Sequence, residues 1–152
     1  DLEKDILKIA VVERHKNTGH IGLGYIQGYG LKGGAVATSI SHDSHNIIVV
    51  GTNSADMAFA ANYIVEHHGG IVVVKDGKVF ASVVLEIAGI MSDEPLTKMN
   101  EELEAAKAAA FNLGVSRGID PFMTLSFMAL PVIPTLRITT RGVIDVNTQQ
   151  YI

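Results

Sequence analysis

The chain has 152 residues, of which 47% are apolar and 18% charged, with a net charge of −4 and no cysteine. That length and apolar content suit one packed domain and exclude a disordered chain. The lack of cysteine excludes a disulfide framework, a thiolate metal site and a Cys nucleophile, and the lack of any basic block longer than Arg14-His15-Lys16 excludes a nucleic-acid footprint.

Residues 8–13 (KIAVVE) read as a strand, and Asn17-Thr18-Gly19 as a turn. Residues 20–27 alternate, with Ile21, Leu23, Tyr25 and Gln27 on one face. Gly22 and Gly24 fall on the other, a pattern that marks close approach by a ligand or a backbone. Gly28, Gly30 and Gly33 spell G-x-G-x-x-G, but a strand-like run at 35–40 follows where a dinucleotide site needs a helix, so the glycines read as tight turns.

Residues 46–51 form a short β-branched strand. Asn53 is a helix N-cap, with Asp56 placed to reach back toward it. The helix runs to about residue 67, with Met57, Ala60, Ala61 and Ile64 facing the core and Gly69-Gly70 ending it. His67 and His68, in its last turn, suit the helix dipole rather than a metal. Strands at 71–75 and 78–85 flank Asp76-Gly77, a two-residue hairpin signal. The helix between 46–50 and 71–75 predicts that these two strands are parallel neighbours or near-neighbours. A second helix starts with Pro95 at its first position and closes at Gly114. A third is capped by Asp120 with Pro121 behind it. Residues 137–144 read as a final strand, with Arg141-Gly142 in or near a turn. The sum is one α+β domain over residues 1–152: a mixed β-sheet, a β-α-β-hairpin unit and two to three packed helices.

The longest apolar stretch, residues 122–133, is broken by Pro131 and falls short of the about 20 residues that a membrane span needs. No signal peptide is visible, so neither a membrane nor a nucleic acid is an expected partner and the expected compartment is the cytoplasm. Asp1 in place of Met points to a piece of a longer chain or to one processed at its N-terminus.

The densest reactive cluster is Ser41-His42-Asp43-Ser44-His45-Asn46, between two strand-like runs. Three readings are open: a polar turn bonded to its own backbone, a ligand or active-site loop, or a metal site at His42, Asp43 and His45. A serine nucleophile with a His base lacks any supporting elbow motif.

Glu13-Arg14-His15, Gly24-Tyr25, Gly28-Tyr29-Gly30-Leu31, the six residues 41–46, Gly69-Gly70, Ala88-Gly89, Met91-Ser92, Leu125-Ser126-Phe127, Leu130-Pro131-Val132-Ile133-Pro134 and Gly142-Val143-Ile144-Asp145-Val146 occur in that order. Together they resemble the C-terminal domain of bacterial-type adenine deaminases, in the metal-dependent amidohydrolase superfamily. The resemblance covers nearly the whole chain. It implies a parent enzyme that hydrolyses adenine to hypoxanthine and ammonia in purine salvage, as a homo-oligomer, with Mn or Fe held in an upstream (β/α) barrel. That barrel takes about 250 residues, and its His-x-His metal pair has no counterpart here. The implication is therefore an accessory domain, inactive alone and free of metal, with the barrel as partner and adenine as the small-molecule substrate. In the parent, His42, Asp43 and His45 are expected to support the chemistry. Ser41, Ser44, Asn46, Glu13, Arg14 and His15 are expected to contact substrate. The alternative is a structural or oligomer-forming module with no direct part in the reaction.

Overall fold

The computed structural model describes residues 1–152. In chain order the elements are β1 (Ile6–Val12), β2 (Ile21–Gln27), β3 (Ala35–Thr38), β4 (Ile47–Gly51), α1 (Ser54–Glu66), β5 (Gly70–Lys75), β6 (Lys78–Val84), α2 (Leu96–Asn112), α3 (Pro121–Met128), β7 (Leu136–Thr139), β8 (Gly142–Asp145) and β9 (Gln150–Tyr151). The first six strands form one sheet in the order β2-β1-β4-β3-β5-β6, and the last three form a small sheet of their own. The α+β class and the β4-α1-β5-β6 unit are as expected. Every ladder of the large sheet is antiparallel. β4 and β5 nevertheless run in the same direction, because each is antiparallel to β3 between them. The crossover expectation thus holds for next-nearest strands.

β3 and β4 are buried at every position because both faces of the sheet are covered. On one side Ala35, Ala37, Ile47, Val49, Val72 and Val74 meet Met57, Ala60, Ala61 and Ile64 of α1. On the other, Leu7, Ile9, Val36, Ile48, Val50 and Val73 meet Ala106 and Ala110 of α2, Phe122 and Leu125 of α3, and Ile138 of β7. Each fully buried Val, Ile or Leu contributes about 1.5–3 kcal/mol, so these two layers carry most of the folding free energy. No helix is long and apolar enough to cross a membrane.

Caps work as short-range chemistry dictates. The Asn53 Oδ1 accepts from the Asp56 amide at 2.8 Å, and its Nδ2 donates back to the Asp56 carboxylate at 2.8 Å. The same carboxylate accepts from the amides of Asp76 and Gly77, tying the start of α1 to the β5–β6 turn. Burial pulls its pKa up, but the bonds from Asn53, Gly77 and Asp76 outweigh that and hold it below the usual value. Asp120 caps α3 through the amides of Phe122 and Met123.

Two expectations are corrected. Residues 137–144 are not one strand but the β7–β8 hairpin, because the chain turns at Thr140-Arg141. Pro95 is the N-cap of α2 rather than its first helical residue, and no side chain caps that end. The Gly22 and Gly24 reading holds. The β7–β8 hairpin lies on their face of β2, and a Cβ on Gly22 would sit 1.8 Å from the Thr139 carbonyl oxygen.

Candidate functional site

Sheet order assembles the site. β1 is antiparallel to β4 with Val12 opposite Ile47, so residues 13–15, which leave β1, arrive beside the end of the β3–β4 loop. β5 is antiparallel to β3 with Ile71 opposite Thr38, and β6 leaves the sheet opposite Gly70. Four segments therefore meet at one end of the sheet: 13–18, 39–46, 67–70 and 85–91.

Arg14 ties them together. Its amide donates to Asn46 Oδ1 at 3.1 Å, and its Nε donates to the His45 carbonyl at 2.8 Å. Nη2 donates to the Ala88 carbonyl at 2.7 Å and Nη1 to the His68 carbonyl at 3.4 Å. The guanidinium lies flat against Gly89, where any Cβ would come within 2.5 Å of it. Gly69 packs in turn on Gly89, with room for no side chain between them. Partial burial lowers the Arg14 pKa from its usual value, while the fork of donors matched to carbonyls keeps the side chain in place. Behind it, buried Ser39 accepts from the Gly70 amide at 2.7 Å and donates to the Gly89 carbonyl at 2.5 Å. The sequence reading passed over Ser39, since a serine inside a strand-like run carries no local signal.

Glu13 closes the 13–18 turn. Its carboxylate accepts from the amides of His15, Lys16 and Thr18 and from the Thr18 hydroxyl. The Thr18 amide, followed by those of His15 and Lys16, draws the Glu13 pKa down to about 2. His15 Nε2 bonds the Ser44 carbonyl at 2.6 Å. Glu13, Arg14, His15 and Asn46 are thus all brought to the loop and bonded to main chain.

Within the loop the six residues divide by exposure. Ser41 is buried and its hydroxyl has no partner. His45 sits at φ +48° with its Nδ1 3.4 Å from the Ser41 amide. Burial first, then the charges of His42 and Arg14, depress the His45 pKa and favour the neutral ring. His42 stacks on Phe127 of α3 at 5.4 Å between centroids, and its amide donates to the Ser126 carbonyl. The Asp43 side chain is 92% exposed, with Oδ1 at 3.8 Å from His42 Nδ1. The loop opens onto a cleft of about 310 Å³, to which Asp43, Ser44, Asn46, Leu130, Pro131 and Thr139 contribute. One wall of that cleft comes from β7 and the chain before it, far away in sequence and unread there.

The histidines do not converge on a metal. The rings of His42 and His45 lie 6.1 Å apart at 59°, and no three His, Asp or Glu side chains are grouped to hold an ion. His67 bonds the Tyr63 carbonyl through Nδ1 at 2.8 Å and stacks on the Tyr63 ring, closing α1.

Comparison with known proteins places this geometry in a family. A sequence profile described as the adenine deaminase C-terminal domain matches residues 1–150. The adenine deaminase of Bacillus licheniformis is 53% identical over all 152 residues, which cover 26% of that protein. That of Brucella anthropi is 53% identical over the same span, 27% of its length. That of Nitratidesulfovibrio vulgaris is 53% identical over 147 residues, 96% of this chain and 26% of the relative. The chain spans about a quarter of the length of these relatives. A match that runs through the sheet, the cross-tied loops and the terminal hairpin alike means that the chain belongs to the adenine deaminase C-terminal domain family.

Proposed function

We propose that this chain is the C-terminal domain of a longer cytoplasmic adenine deaminase, which hydrolyses adenine to hypoxanthine and ammonia in purine salvage. The observation that carries the reading is the unbroken match of the whole chain, at about half identity, to proteins of that name. A metal-assisted hydrolysis on Mn or Fe is what the family resemblance implies. His42, Asp43 and His45 do not fit such an ion, so its ligands fall to the preceding region of the polypeptide, and the domain alone turns over no adenine.

In this reading the 41–46 loop forms part of the wall of the substrate pocket. Two side chains are free to face a purine: Asp43, which is exposed, and His42, which rests on the Phe127 ring. A carboxylate accepts from an exocyclic amine, and an imidazole exchanges hydrogen bonds with ring nitrogens. Ser44 and Asn46 line the adjoining cleft. Glu13, Arg14, His15 and His45 position the loop through main-chain bonds, with Ser41 buried beneath it.

The test is His42→Ala, Asp43→Asn and His45→Ala in the longer protein, with adenine turnover and thermal stability measured together. Expected is a turnover loss of about 10–100-fold for His42→Ala and Asp43→Asn at unchanged stability. His45→Ala should lose both. Near-native turnover in all three variants would make the loop scaffold.

A further inference from the structure

One face of the large sheet is half covered. α1 lies over β3, β4 and β5, its margin reaching Ala10 of β1, and leaves β2 bare on the same side. Ile21, Leu23 and Tyr25 project there, 54%, 68% and 75% exposed. A water-facing strand of an antiparallel sheet carries polar side chains at such positions. The opposite face of β2 is already used, since Gly22 and Gly24 receive the β7–β8 hairpin. The result is a trough of about 590 Å³ between β2 and α1, apolar along its floor and closed at one end by Lys8, whose Nζ donates to the Ser54 hydroxyl at 2.8 Å. Its α1 wall carries the small side chains Ala58 and Ala61, which allow another backbone to come close.

The dimensions select what fits. Two strands are about 10 Å wide at 4.8 Å spacing, and a helix with its side chains is about 10 Å across. The strip over β1 and β2 is one helix wide and lies beside α1, so a second helix there would complete the layer. The placement of the chain start selects where that helix comes from. Asp1 bonds Ile6 at the start of β1, beside the Tyr25 end of the trough, because Lys8 pairs with Tyr25. The other end, where Val12 pairs with Ile21, adjoins the Glu13–Thr18 turn and the 41–46 loop. A region that precedes residue 1 and also reaches that loop spans the distance between these two ends, and the trough is an uncovered apolar path between them.

We propose that the trough between α1 and β2 seats an amphipathic helix of the catalytic region that precedes this domain in the longer polypeptide. Its aliphatic side chains would rest on Ile21, Leu23 and Tyr25, with an acidic residue toward Lys8. This rests on the reading of the chain as the C-terminal domain of a larger enzyme, and it adds the surface through which the two parts are held in register.

Leu23→Cys provides the test, because this chain has no cysteine of its own. Maleimide labelling of that residue, followed by peptide mass spectrometry, is measured in the full-length polypeptide and in the 152-residue chain. Labelling is expected to be rapid in the short chain and slower by about tenfold or more in the full-length protein. Equal rates in the two would overturn the proposal. Protection in the short chain that rises with its concentration would also overturn it, by assigning the trough to a second copy. Adenine turnover by the full-length protein is measured alongside, so a wrong substrate reading shows as absent turnover whatever the labelling gives.

Discussion

Removing the guanidinium of Arg14 should loosen four segments at once. The side chain makes two short bonds from a charged donor to main-chain carbonyls, at 2.8 Å to His45 and 2.7 Å to Ala88, and a long third at 3.4 Å to His68. A hydrogen bond to a charged group contributes about 1.5–3 kcal/mol. The two short bonds therefore sum to about 3–6 kcal/mol, and water reaching the half-exposed group in the variant recovers part of that. Arg14→Met is expected to cost about 2–4 kcal/mol of unfolding free energy, the carbonyls of His45 and Ala88 having lost their donors. For a domain of this size each kcal/mol moves Tm by about 2–4 °C, so a fall of about 4–16 °C is expected. Arg14→Lys keeps the charge but not the fork, and should lose about half as much. Urea melts followed by circular dichroism give the free energies, and amide exchange at residues 45–46 and 88–89 shows whether the loss is local. A double-mutant cycle sharpens the test. Gly89→Ala thrusts its methyl into the guanidinium, so its cost should shrink in the Arg14→Met background toward the strain of φ +76°. An Arg14→Met variant within about 0.5 kcal/mol of the parent, or additive costs in the cycle, would refute the cross-tie.

Gly22→Ala should cost about 1–3 kcal/mol and expose the β7–β8 hairpin to limited proteolysis, because its methyl meets fixed backbone. Gly24→Ala meets only side-chain ends, Val143 at 3.0 Å, Ile138 at 3.3 Å and Ile9 at 3.6 Å, and should cost less, so equal losses would count against the packing described. Asp56→Ala should lose about 1–3 kcal/mol by removing the acceptor of the β5–β6 turn, read by urea denaturation. The Asp56 pKa is held down in the folded state, so its contribution is present above the ordinary carboxyl value of 3.8 and lost as pH falls below it. Asp56→Asn should therefore flatten that part of the acid limb. His45 is also held below its ordinary value of 6.5. The unfolded chain then binds the extra proton first, and stability should drop as pH falls below about 6.5, with the slope reduced in His45→Gln. A wild-type melt that is flat from pH 7 to pH 5 would contradict it.

What the sequence determined by itself is what short-range physics controls. Asn53 and Asp120 cap helices because a side-chain oxygen reaches amides two or three residues on. Asp76-Gly77 turns a hairpin because its backbone tolerates positive φ. Gly22 and Gly24 announced a close neighbour by lacking side chains in a strand. The 41–46 loop was visible as a dense polar island between buried runs. The tertiary structure alone decided which parts meet. β1 runs between β2 and β4, and that antiparallel pairing puts Glu13, Arg14 and His15 against the 41–46 loop. The partners of Arg14 are the carbonyls of residues 45, 68 and 88, groups that every residue carries and no side chain reveals. In the second sheet a turn at or near Arg141-Gly142 is legible, but its splitting of 137–144 into two paired strands, the third strand β9 and the packing on Gly22 depend on pairing and on contacts more than a hundred residues apart. Local propensity acts over a few residues. Sheet order and carbonyl partnership are settled only when distant segments bury one another.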